Sequence, residues 1–233
     1  MSRPTFRILS KGLSKGVTPV EVNGVLYNAS SKGPGNFNKL RQADYGPSFR
    51  QGTFGNQLDI LHGAHLNPGV DGAYRVTQTA RTSIVSGNTA MLCTPRIILV
   101  QNRPQVTDGR IVMDEEDLTN RLTGDTIRGV TFDRARSIAG IPYGLAKEWQ
   151  NSEQMRNNPI PIVLTMDESA PEKLEEIQEE IGKRSYVYVL DQIQVSKPEI
   201  TVPVLDEDDV RLNLFGFDRY VLDGLRRSFG ICQ

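Results

Sequence analysis

The hydrophobic pattern is clearest near the start of the chain. Val20-Glu21-Val22 and Val25-Leu26-Tyr27 flank Asn23-Gly24, a pair suited to a two-residue turn because both positions take positive φ. A β-hairpin is expected there, preceded by a short strand from Thr5 to Leu9. Two further β-type runs, Tyr74 to Val85 and Thr89 to Gln101, are joined by Ser86-Gly87-Asn88. Within the second, Ile97-Ile98-Leu99-Val100 is continuous rather than alternating, which predicts a strand covered on both faces. Arg110 to Met113 makes another short strand.

Beyond this point the pattern becomes helical and mixed. Asp114 caps a short helix through Leu122, with Gly124 as its stop. Residues 132–157 read as helical with a break at Gly140-Ile141-Pro142, and Ile160 to Met166 reads as a strand. Ser169 and Pro171 open a helix that runs through Ile181 and stops at Gly182, with Leu174, Ile177 and Ile181 on one face. Tyr186 to Val195 alternates as a strand, so 160–195 is expected to form a strand–helix–strand unit. A last helix is expected from Asp218 to Arg227. Hairpins first and helices later predict an α+β fold: a β-hairpin-rich N-terminal half and a mixed strand–helix–strand C-terminal half.

Within the N-terminal half, after the hairpin, the pattern collapses. From Ala29 to Gln57, glycine or proline stands at 33, 34, 35, 46, 47, 52 and 55, and neither period survives. This predicts a long irregular glycine-rich arm. The expected divisions are an N-terminal strand and hairpin at 1–28, the arm at 29–72 and a main domain at 73–233.

Composition alters this picture in one respect. With 233 residues, 38% hydrophobic and 24% charged, the chain is long enough to bury a core unaided. Its net charge of -1 hides a split: residues 1–110 hold 13 Lys/Arg against 5 Asp/Glu, and the remainder 14 against 23. Such a split points to an anionic partner, to self-association, or to neutralisation within one fold. Cys93 and Cys232 make no disulfide framework, and the N-terminus has no apolar run of signal-peptide length. The longest apolar runs are too short to span a bilayer, so a soluble, cytoplasmic protein (or a virion component) without membrane contact is expected.

Candidate chemistry is sparse. Gly12-Leu13-Ser14-Lys15-Gly16 has the nucleophile-elbow spacing, but Val17-Thr18-Pro19 cannot open the helix that elbow needs. His62 and His65 are spaced for one helical face but lack a third ligand beyond Asp59, so no metal is assigned. The acidic runs 114–117 and 206–209 read as a helix start and a solvated loop, and the glutamates of 172–180 as a wet helix face. Walker, dinucleotide and paired Cys-x-x-Cys motifs do not occur, no catalytic residue is assigned and no cofactor is implied.

The arm is the remaining candidate. Lys32, Lys39, Arg41 and Arg50 alternate with Phe37, Tyr45, Phe49 and Phe54. Cations with interleaved rings suit either docking on an acidic neighbouring subunit or single-stranded nucleic acid, with rings stacking on bases. The leading expectation is a structural or interaction subunit of a larger assembly, of viral or phage type, docking on copies of itself or on other subunits. A nucleic-acid-associated protein is the alternative. A third expectation comes from residues 127–193, whose strand, helix, Pro-Ile-Val-Leu strand, helix and Tyr-Val-Tyr-Val-Leu strand resemble the later part of ADP-ribosyltransferase-type folds. That resemblance implies a transferase. It covers under a third of the chain, and neither a Ser-Thr-Ser strand nor a Glu-x-Glu turn accompanies it.

Overall fold

The structure, a computed structural model, describes residues 3–9, 17–81, 84–149, 154–182, 184–188, 197–207, 211–218 and 226–232. In chain order the elements begin with β1 (Phe6–Ile8), β2 (Pro19–Val22), β3 (Val25–Lys32), α1 (Phe37–Gln42), β4 (Phe49–Gln51), α2 (Phe54–His65) and α3 (Asp71–Arg81). Next come β5 (Ile84–Ser86), β6 (Thr89–Cys93), β7 (Ile97–Asn102), β8 (Gln105–Thr107), β9 (Arg110–Val112) and α4 (Glu115–Arg121). The chain continues through β10 (Thr126–Ile127), β11 (Val130–Asp133), β12 (Ile138–Pro142), α5 (Tyr143–Glu148), α6 (Pro159–Thr165) and α7 (Ala170–Ile181). The last elements are β13 (Arg184–Tyr188), β14 (Glu199–Glu207), β15 (Arg211–Asp218) and β16 (Arg226–Cys232). The fold is α+β.

One extended sheet runs β1-β2-β3-β16-β5-β14-β6-β7-β12-β11-β10, with β4 on β16 and β13 reached through β15. Its pairs are antiparallel except β16 with β5 and β13 with β15. The β2–β3 hairpin turns at Asn23 (φ 50) and Gly24 (φ 82), as its dipeptide requires. At the centre, β6 and β7 are covered on both faces. Met91, Cys93, Ile98 and Val100 join the large core under α2, α3, α6 and α7, while Leu92 and Leu99 pack with Leu118 of α4. The unbroken run at 97–100 is therefore explained by a strand with no wet side.

Several element types differ from expectation, each for a local reason. Residues 29–57 are not an irregular arm: β3, α1, β4 and the start of α2 occupy most of them. The glycines that hide α2 serve close packing. A Cβ on Gly55 would sit 2.6 Å from the Thr165 carbonyl oxygen, and one on Gly63 would sit 2.7 Å from Val22. Helix α2 is opened by a capping box in which Thr53 and Asn56 satisfy each other's backbone N–H groups. Most of the β-type run at 74–85 is helix α3, with Ala73 and Val76 buried and Tyr74 and Arg75 exposed at helical spacing.

Residues 132–157 contain the end of β11 and all of β12 before the short α5, and 160–165 is helical rather than a strand. In α6 Asn158 accepts the Ile160 N–H at 2.9 Å, Pro159 stands at the first position, and Met166 ends the helix in the left-handed conformation. Every residue of α6 is buried, so no period distinguishes it from a strand. The expected strand–helix–strand unit is thus helix–helix–strand, and the ADP-ribosyltransferase-like order loses its middle strand. Asp114 caps α4, and Gly182 ends α7 at φ 67, as expected. Ser169 stands at the N-cap of α7 without making a capping bond; its hydroxyl donates to Asp167 instead. The elbow at 12–16, residues 189–195 of the expected strand at 186–195, residues 208–209 of the second acidic run, and 219–225 of the last expected helix lie outside the described residues, while Asp218 ends β15 and Arg226 and Arg227 open β16 rather than belonging to a helix. No helix among the described residues is long and apolar enough to cross a membrane.

Candidate interaction surface

The structure separates the expected site residues into two groups. All four rings of the former arm are interior: Phe37 is 6% exposed, Tyr45 2%, Phe49 7% and Phe54 2%. Phe37 packs with Ala90, Ile111, Val202 and Val204. The Tyr45 hydroxyl donates to the Leu40 carbonyl at 2.9 Å, and its own carbonyl accepts from Asn28 at 2.8 Å. Burial pushes the Tyr45 phenol up to about 12. Rings held in this way cannot stack on bases, which removes that part of the nucleic-acid expectation. Their alternation with cations reflects elements that bury one side and wet the other.

The cations are at the surface. Lys39 and Arg41 are exposed on α1, and Lys32 and Arg50 are half-buried on β3 and β4. The structure adds two that sequence pattern did not assign. Asn38 of α1 donates to the Gly109 carbonyl at 2.7 Å, and Phe37 packs against Val106 and Ile111. This docks α1 on the β8–β9 hairpin and brings in exposed Arg110. Exposed Arg103, at φ 54, leads into that hairpin. A backbone chain ties its position to β4: Arg103 N–H donates to the Asn88 carbonyl at 2.9 Å, and Asn88 N–H to the Gly52 carbonyl at 2.8 Å. Gly87 lets these segments close, since a Cβ there would meet Phe54 N at 2.5 Å. Partial burial, and then the nearby charge of Arg50, holds the Arg103 guanidinium below its ordinary value. The Nε of Arg50 is itself buried without an acceptor.

Ion pairing is uneven over the surface. Among the described residues Lys32, Lys39, Arg41, Arg50, Arg103 and Arg110 meet no carboxylate. Asp44 and Asp108 stand in the same segments and pair with none of them; Asp44 accepts the Gly46 N–H instead. By contrast Arg96, Arg121, Arg128, Arg134, Arg136, Arg156 and Lys173 each hold an Asp or Glu. The glutamates of α7 are therefore less free than a wet helix face would be. Glu172 takes Arg128 at 3.0 Å, Glu175 takes Arg156 at 2.7 Å, and Glu176 takes His62 at 2.6 Å.

The seam between α2 and α7 carries a second polar cluster. Lys173 Nζ reaches Asp59 and Asp167, each at 2.5 Å, and is 17% exposed. Burial works against its charge, but the two carboxylates outweigh that and hold it above its ordinary value. Burial likewise opposes charge on Asp167, and the bonds from Lys173 and Ser169 overcome it and lower that carboxyl. Tyr27 donates to Asp59 at 3.3 Å, and burial followed by the Asp59 charge raises its phenol. His62 is only 6% exposed, and burial lowers its imidazole despite the opposing Glu176. It is neutral near pH 7, so Nε2–H donates to Glu176 and Nδ1 keeps a lone pair, buried without a partner. His62 and His65 share α2, yet no group of three metal-capable side chains occurs among the described residues.

No protein-family model matches the chain. Nor does any curated protein. A solved structure from Nanoarchaeota, described as showing how the C-type lectin fold accommodates massive sequence variation, superposes with a TM-score of 0.47. The identity is 12%, over 80% of this chain and 88% of that one, a likeness that leaves function to be read from this chain's own residues.

Proposed function

We propose that the protein is an interaction subunit that docks an acidic surface of another protein through the face formed by α1, β4 and residues 103–110. The observation that carries this reading is the set of five cations there, with Lys32 of β3 beyond them, that meet no carboxylate among the described residues, while Arg96, Arg121, Arg128, Arg134, Arg136 and Arg156 each hold one. An unpaired basic patch raises the local concentration of acidic partners and speeds their docking. Arg50 and Arg103 form its focus, because two adjacent guanidiniums are relieved by one incoming carboxylate. A second copy of this chain is the weaker occupant, since its most acidic helix, α7, already spends Glu172, Glu175 and Glu176 internally. The burial of the four rings favours a protein partner over single-stranded nucleic acid. The buried thiol of Cys93, pushed up to about 12 by burial and by Glu199, fits a reducing, cytoplasmic setting.

Fluorescence anisotropy with a labelled deca-glutamate peptide and a labelled ten-nucleotide single strand tests this. The peptide should bind at low salt and lose at least about tenfold in affinity in the Lys39→Glu/Arg41→Glu/Arg103→Glu variant. Tighter binding of the single strand, lost in the same variant, would assign the face to nucleic acid instead. Binding of neither probe would overturn the reading, and light scattering of the unliganded protein reports self-association directly.

A further inference from the structure

The β8–β9 hairpin forms a small sheet of its own beside the main one. It turns at Asp108 (φ 49) and Gly109 (φ 74), and its register sets Thr107 opposite Arg110 and Gln105 opposite Val112. Alternation along each strand gives the hairpin two unlike faces. Val106 and Ile111 belong to the inner one, packed with Phe37. Gln105, Thr107, Arg110 and Val112 share the outer face and are all exposed, and Gln105 Nε2–H donates to Thr107 Oγ1 at 3.4 Å along it.

On that outer face a cation stands beside an apolar side chain. Arg110 meets no carboxylate among the described residues. Val112 is 45% exposed, and the other large hydrophobics exposed among the described residues, Leu9, Val25 and Tyr74, belong to other parts of the chain. As residues i and i+2 of one strand, Arg110 and Val112 have Cα atoms about 7 Å apart and side chains on one side.

We infer that this outer face receives an extended segment of the acidic partner in which a carboxylate and an apolar side chain alternate, the carboxylate on Arg110 and the apolar group on Val112. The inference rests on the basic-face reading and adds a recognition rule to it. Spacing selects the conformation: in an extended chain residues i and i+2 repeat the interval of about 7 Å on one side, whereas in a helix they point to nearly opposite sides. The Arg110 fork takes both oxygens of one carboxylate. Contact with Val112 adds what charge alone lacks, because removing apolar area from water survives salt that screens exposed charges. Exposed Asp108 and Asp114 flank the four outer side chains, so an unbroken acidic run fits less well than one acid followed by an apolar residue.

Fluorescence anisotropy with deca-glutamate and two labelled decapeptides of identical Glu, Leu and Ser content tests the rule. In one decapeptide Glu and Leu share a side of the extended chain; in the other they fall on opposite sides. The first should bind at least about threefold tighter than the second. Val112→Ser should erase that difference and leave deca-glutamate binding as it was, whereas Val112→Leu should keep it, with folding of both checked by circular dichroism. Arg110→Ser should weaken the first decapeptide at least about threefold. Equal binding of the two decapeptides, or a preference that survives Val112→Ser, would overturn the inference while deca-glutamate binding kept the basic-face reading in place. Binding of no peptide would remove both. A dimer seen by light scattering and lost in Val112→Ser would give this face to a second copy and overturn the inference as well.

Discussion

Lys173 shows how much a single side chain can do at a helix seam. It is 17% exposed and held by two carboxylates on different segments, Asp59 of α2 and Asp167 before α7. Removing it leaves two partly buried negative charges facing each other, which costs more than the pairing itself was worth. Lys173→Met is therefore expected to lower unfolding free energy by about 2–3 kcal/mol. Arg96→Met makes the control. Its ion pair with Glu115 is on an arginine 81% exposed, and its loss should cost no more than about 1 kcal/mol. Urea denaturation of both variants decides the matter; equal costs would mean that the seam charges are as well hydrated as the surface ones.

At the scale of elements, α1 separates what supports the fold from what could meet a partner. Phe37 is buried and Lys39 and Arg41 are exposed on the same six-residue helix. Phe37→Ala should cost about 3–5 kcal/mol through the cavity it leaves, while Lys39→Glu/Arg41→Glu should stay within about 0.5 kcal/mol of the parent in thermal or urea unfolding. A large loss from the charge reversal would make α1 a structural brace rather than a docking element. The same helix shows where the sequence is legible and where it is not. Elements marked by local chemistry were readable: the Asn23-Gly24 hairpin, the Asp114 cap, the Gly182 stop and the doubly buried run at 97–100. Elements shaped by tertiary contact were not. The glycines at 55 and 63 look like helix breakers until Thr165 and Val22 are seen pressed against them. Residues 159–165 show no period because α6 is buried on every side. For the site, the cations at 32, 39, 41 and 50 were visible by composition. Arg103 and Arg110 were not, because only the docking of α1 on the β8–β9 hairpin and the backbone ties through Asn88 bring them alongside.

On the scale of the whole molecule, α2 is the spine, packed in the core with the sheet, α3, α6 and α7, and its polar ties to α7 set how stability responds to pH. His62 sits in α2 among Glu176 and Lys173 of α7 and Asp59 of its own helix, and its imidazole is depressed in the folded state. Between the folded value and the unfolded value of about 6.5, the unfolded chain binds the extra proton, so stability falls as pH falls through that window. Asp167 is also depressed, so its contribution is present above an unfolded value of about 3.9 and is lost in stronger acid. Lys173 is raised, so its contribution is complete below an unfolded value of about 10.4 and is lost as pH climbs through the folded one. These directions give a plateau from about 6.5 to about 8.5, where the unfolded chain begins to ionise Cys93 while burial keeps the folded thiol protonated, with an acid limb that begins at His62. Unfolding free energy measured by urea from pH 8 to pH 5 should decline below about 6.5 in the parent protein. His62→Gln, which cannot take up the proton, should flatten that first decline and leave the later acid loss in place. An unchanged slope in the variant would move the acid response away from the α2–α7 seam. A parent protein that gained stability on acidification would mean that Glu176 outweighs burial and that His62 is held as the imidazolium, closing the Nδ1 lone pair to any donor.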